Sequence, residues 1–254
     1  MEVLDIERLK LISMLLPIIA KIGEPSAADK AAAVEPLRWF IDYAAAPKGL
    51  PLTAKGNVGV KVVQAADDLF EWYAGRWHGW KPRSDQDLGE VIALREMTTR
   101  LRLVRKQRNA LLATARGKAQ LDDLPGLWDQ AVGALLAPAG QPAEFVQDAR
   151  EVILAILLIE GDAGDQTDVR RLEDVSGGFL AFRWNLQRVE RAYGHREWEG
   201  YTRDVHDALD PLRALGMLND NRATKTREPW AISLTEVGKS AAAIALRERL
   251  APAS

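Results

Sequence analysis

The chain has 254 residues, 47% hydrophobic and 28% charged, with a formal net charge of −2, which is the balance of an ordinary globular protein and not of a disordered one. It has no cysteine and three histidines, which excludes disulfides, thiolate nucleophiles and zinc sites of the Cys type and leaves other metal chemistry poorly supplied. Glu2, Asp5 and Glu7 stand where a secretory leader needs positive charge, and the longest apolar run, Val152 to Ile159, is eight residues against the roughly 20 that span a bilayer. The expectation is a cytoplasmic protein with no membrane association.

Leu4, Leu11, Leu15 and Ile18 recur at helical spacing, so residues 4–22 are expected to form a helix that Gly23 and Pro25 end. Residues 29–44 are expected to form a second, with Val34, Leu37, Phe40 and Ile41 on one side; together they make an N-terminal helical hairpin over residues 1–45. Thr53 reads as an N-cap, and a helix follows from Val60 to Tyr73. The stretch Gly75 to Arg83 then mixes Trp77 and Trp80 with positive charge. It is read as a loop pinned to the core by its tryptophans, with stacking on bases as the alternative.

The segment from Ser84 to Lys118 is the most informative. Ser84 and Asp87 have the spacing of a capping box, and Val91, Leu94, Thr98 and Leu101 form a buried helical stripe. The opposite stripe is Arg95, Thr99, Arg102 and Lys106. Between Arg95 and Lys118 eight cations stand against one anion, Glu96, a formal +7 in a chain of net −2. Leu103-Val104 and Leu111-Leu112 bracket the polar turn Arg105 to Asn109, which reads as a β-hairpin. A Thr-x-x-Gly signal closes it.

That signal occurs three times, at Thr53 to Gly56, Thr114 to Gly117 and Thr235 to Gly238. In the last two it follows a helix and a pair of apolar stretches around a polar turn. Helix, hairpin and Thr-capped helix is the order of a winged helix, so two such units are expected. Leu121 to Leu136 should be helical, and Ala137 to Pro142 is the best linker in the chain. The expected units are therefore residues 46–139 and 140–254. In the second, 143–160 is an apolar helix, 161–166 a polar loop, and 167–190 two helices parted by Ser176-Gly177-Gly178. A helix from Thr202 is expected to break and restart at Asp210-Pro211, with Asp210 as N-cap, and to end at Gly216. The last helix runs from about Glu236 to Leu250. The predicted fold is mainly α, an N-terminal helical hairpin followed by two winged-helix-like units with short β-hairpins.

At Val34-Glu-Pro-Leu-Arg-Trp-Phe-Ile41, Gly49-Leu-Pro-Leu-Thr-Ala-Lys-Gly-Asn57, and Leu103-Val-Arg-Lys through Thr114-Ala-Arg-Gly117, the chain resembles the helical, winged-helix-like region of the plasmid open-reading-frame-three or transposon-passenger family. The resemblance covers residues 34–136, and Val58-Gly59 departs from the Leu-Pro of that pattern. It implies an association with mobile elements and carries no functional residues across.

The charge pattern makes Arg95, Thr99, Arg102, Arg105, Lys106 and Arg108 the candidate nucleic-acid-binding residues, with cations for phosphates and polar groups for base edges. In the second unit Asp204, Asp207 and Asp210 would oppose phosphates, and only Arg222, Lys225 and Arg227 are basic. That unit is expected to serve self-association or a protein partner. His206 and Asp210 are four apart but lack a third ligand, and Gly177-Gly178 lacks the pattern of a phosphate loop. No cofactor, metal or enzymatic activity is expected. DNA is the leading partner; the alternative is an interaction scaffold that binds no nucleic acid.

Overall fold

The computed structural model of the chain describes residues 3–72, 81–136, 143–175, 199–220 and 230–250. The protein is mainly helical, with two small three-stranded antiparallel sheets. α1 runs over Val3–Lys21. The helix expected over 29–44 is two helices, α2 (Ala27–Ala33) and α3 (Glu35–Ala45), parted at Val34. Pro36 explains the break, since it has no amide to donate and its ring would crowd the carbonyl four residues earlier. Ser26 caps α2 by accepting from the Asp29 amide at 3.2 Å. α3 buries Leu37, Phe40, Ile41 and Ala44.

β1 (Leu50–Pro51) is followed by a turn that differs from the one expected. Thr53 Oγ1 accepts from the Asn57 amide at 3.1 Å, and Gly56, at φ +86°, donates to Thr53 O. Thr53 thus closes an irregular turn, and α4 (Val60–Phe70) starts only after Gly59. Trp77 and Trp80 lie outside the described residues. The Ser84–Asp87 capping box forms, but on a single 3₁₀ turn, Asp85–Asp87, ahead of α5 (Gly89–Arg100). The predicted stripe holds, with Val91, Leu94 and Thr98 buried and Leu101 packed against the core.

β2 (Val104–Gln107) and β3 (Ala110–Ala113) form the expected hairpin, and β1 pairs with β3 on its other edge, giving the order β1-β3-β2. Thr114 caps α6 (Ala115–Gln120) through the Gly117 amide at 3.0 Å. α7 (Leu124–Leu135) begins later than expected because Asp123 caps it and Pro125 sits in its first turn. The linker Ala137 to Pro142 lies outside the described residues.

Among the described residues the second half again has a helix, a strand, helices and two paired strands. α8 spans Ala143–Asp162. Thr167–Asp168, expected to be helical, is strand β4, paired with β6. Residues 169–175 form the described part of α9. α10 (Glu199–Ala214), β5 (Leu218–Asp220), β6 (Ala231–Leu234) and α11 (Glu236–Leu250) complete it, in sheet order β4-β6-β5. α10 runs through Pro211 without the expected restart. Asp210 does not cap; it pairs with Arg213 at 2.8 Å, where α10 packs along α5. Gly216 ends the helix at φ +59°, as expected.

One apolar cluster joins the halves, from Leu15 and Phe40 through Leu94 and Trp128 to Leu154, Leu209 and Leu246. α1 and α10 both dock on α8, and α11 packs on α7 and α8. The core is therefore continuous across the expected boundaries near residues 45 and 139.

Candidate nucleic-acid interface

The candidate residues gather where α5 turns into the hairpin. The Leu103 amide donates to Thr98 O at 2.8 Å and the Arg102 amide to Thr99 O at 3.0 Å, a double closure that requires a left-handed residue at Arg102, found at φ +57°. From the far side of the hairpin Thr114 returns to the same place. Its amide donates to Leu103 O at 2.9 Å and its hydroxyl to Arg102 O at 2.9 Å. The hairpin is thus clamped at its base, and the Leu52 amide, donating to Asn109 O at 2.8 Å, holds its tip against the β1 side.

The predicted helical stripe ends at this closure. Arg102 and Lys106 do not share a helix face, because α5 stops at Arg100 and both Arg105 and Lys106 lie on β2. Strand alternation puts Lys106 opposite Leu111 on one face of the sheet and Arg105 opposite Leu112 on the other. Arg108 occupies the turn itself at φ +51°. β2 is an outer strand, so Arg105, Lys106 and Arg108 are all exposed, as is Arg102. None of these four forms an ion pair among the described residues.

Arg95 is placed differently. Its Nη1 lies 3.3 Å from Asp85 Oδ2 and 3.2 Å from Gly56 O, and Asp85, 1% exposed, also accepts from the Val58 amide at 2.8 Å. Arg95 therefore braces α5 against the 53–58 turn, a charge held by a buried partner. Thr99 is exposed on α5 but separated from the hairpin cations by the helix end. The expected site thus resolves into a four-residue hairpin cluster, one brace and one outlying hydroxyl.

Two lysines escaped the sequence reading. Lys48 precedes Gly49, whose left-handed backbone at φ +65° lies so close to the hairpin that a Cβ there would meet Leu112 Cδ2 at 2.4 Å. Lys55 precedes Gly56, beside which Lys106 Nζ lies. Both lysines are exposed. The Gly in each Lys-Gly pair was the available signal, since it marks close approach of another chain segment.

The acidic side of α10 faces inward in part. Asp210 meets Gly89 of α5, where a Cβ would stand 1.7 Å from Asp210 Oδ2. Arg213 donates to both Asp210 and Asp220 at 2.8 Å and stacks on Trp230 at 5.2 Å. Arg150 reaches in from α8, donating to Ala208 O at 3.1 Å and Leu135 O at 2.7 Å. Burial first, and then the nearby Arg100, push its pKa down to about 10. The turn with Arg222, Lys225 and Arg227, the side chains of Asp204 and His206, and Gly177-Gly178 lie outside the described residues. Among the described residues no group of three or more metal-ligating side chains occurs, and no helix is long and apolar enough to cross a membrane.

No protein-family model matches the chain, and no curated protein or solved structure is detectably similar to it.

Proposed function

We propose that the chain is a tandem winged-helix protein that binds nucleic acid through the hairpin of its first half, in the mobile-element setting that the resemblance over residues 34–136 implies. Support for the tandem reading is that, among the described residues, each half has a helix, a strand, further helices and then two paired strands, with the early strand beside the second of that pair both times. The observation that carries the binding reading is the placement of Arg102 at the base of the hairpin and Arg105, Lys106 and Arg108 on it, all exposed and none in an ion pair among the described residues. Two of them are held at positive φ. A left-handed backbone costs an ordinary residue about 1 kcal/mol, so cations sit at both positions against local preference, as strained residues at functional sites do.

Fluorescence anisotropy on a labelled mixed-sequence duplex tests the proposal. Contacts to three or four phosphates give a log–log salt slope of about −2.7 to −3.6, at about −0.9 per phosphate. Arg105→Glu/Arg108→Glu should abolish binding at about 50 mM salt while stability changes by no more than about 0.5 kcal/mol per site. A parent protein that does not bind at low salt, or a double variant that binds as well, would replace this reading with a scaffold that binds no nucleic acid.

A further inference from the structure

We infer that the duplex is engaged by the hairpin alone, with α5 kept out of the major groove, so that the ligand of this site is the nucleic-acid backbone irrespective of sequence. The inference rests on the phosphate-binding reading above and adds a binding mode to it.

The first ground is steric. Gly89, Ala93 and Met97 stand four residues apart, along one side of α5. Gly89 abuts Asp210 of α10, and Ala93 and Met97 are buried. A helix with its side chains is about 10–12 Å across, which matches a major groove about 12 Å wide. Two helices packed at about 8–10 Å between axes form a body close to 20 Å wide, which the groove does not admit. α5 cannot enter without parting from α10.

The second ground is chemical. Between the core side of α5 and the side against α10, the strip left open carries Ile92, Glu96 and Thr99. Glu96 is exposed and negative, and Arg95, at the edge of this strip, is committed to Asp85. Ile92, Glu96 and Thr99 offer one hydroxyl for a base edge and no cation for a phosphate, and Arg100, exposed in the last turn of α5, has a partner of its own. The hairpin has the opposite character, with Arg105 and Lys106 on its two faces and Arg108 at its tip. Contacts of that kind fix position and affinity but carry no sequence information.

The test measures affinity of the full chain for duplexes of unrelated sequence, including poly(dA-dT) and poly(dG-dC), and selects from a random duplex pool. Affinities should agree within about threefold, where base readout separates sites by about a thousandfold or more. Arg108→Ala should weaken binding to every duplex alike and reduce the salt slope by about 0.9. Glu96→Gln, on the open strip of α5, should move affinity by less than about twofold. A selected sequence bound a hundredfold better, together with a clear gain from Glu96→Gln, would mean that α5 reads bases; this inference would then fall while hairpin binding stood. Absence of binding to any duplex at low salt would remove both.

Discussion

At the scale of single residues, the two halves repeat one piece of backbone chemistry with different side chains. Gly117 and Gly238 are each the third helical residue after a capping threonine, and each lies against a carbonyl from the preceding helix end. A Cβ would stand 2.1 Å from Leu103 O in one case and from Met217 O in the other. Replacing glycine by alanine inside a helix ordinarily gains up to about 1 kcal/mol. Here Gly117→Ala and Gly238→Ala should each lose about 2 kcal/mol in denaturant melts, because the carbonyl is fixed by the threonine amide and cannot retreat. Arg102 and Gly216 occupy equivalent left-handed positions, at φ +57° and +59°. Arg102→Gly should therefore raise stability by about 1 kcal/mol while weakening nucleic-acid binding. The same change at an arginine kept for structure would lower stability instead.

At the scale of elements, caps decide where helices begin, and these were legible where the cap is local. Thr114 accepts from the Gly117 amide at 3.0 Å and Thr235 from the Gly238 amide at 3.0 Å. Each hydroxyl also donates to the carbonyl of the residue that ends the preceding helix, Arg102 or Gly216. Thr114→Ala removes both bonds and should cost about 1–2 kcal/mol, measured by the shift in denaturation midpoint at unchanged slope. A loss confined to a few tenths would mean that the hairpin base is held by Thr114's backbone amide alone. Thr53 carries the same four-residue signal but closes a turn, because Gly56 is left-handed there and a bridge from Leu52 to Val58 pulls the backbone out of helical geometry. Pro211 misled for a related reason: a proline after an aspartate favours a helix start, yet packing along α5 and α8 keeps α10 continuous over it.

At the scale of the molecule, a continuous core and the α5–α10 contact join the halves, so they should unfold together. Calorimetry should give a single transition whose van't Hoff and calorimetric enthalpies agree. Two resolved transitions would mean that the halves melt separately. Arg150 is the sharpest probe of that union, since it links the end of α7 and the middle of α10 from its place on α8. Burial, and after it the nearby Arg100, lower its pKa to about 10, so the native state holds this proton less firmly than the unfolded chain does, and at neutral pH the charge is retained at a standing cost. Arg150→Ala should still destabilise by about 1–3 kcal/mol, because it leaves carbonyls of two helices without their donor. Arg150→Met, which fills the space, should recover part of that loss.

What the sequence determined by itself is the set of signals that act within about four residues: the capping threonines, the buried stripe Val91-Leu94-Thr98, the hairpin after α5, and the left-handed Gly216. Such signals are fixed by backbone hydrogen bonds to near neighbours, so they hold wherever no longer-range contact overrides them, as contacts do at Thr53 and Pro211. The tertiary structure decided which charges remain free. Arg95 looked like its neighbours until Asp85 and the Gly56 carbonyl were brought beside it. The aspartates of α10 looked like a surface barrier until Asp210 was found against Gly89, 121 positions away in sequence. Helical period assigns a side chain to a face, but whether that face meets water, a carboxylate or another helix depends on contacts between distant segments, and no local pattern encodes them.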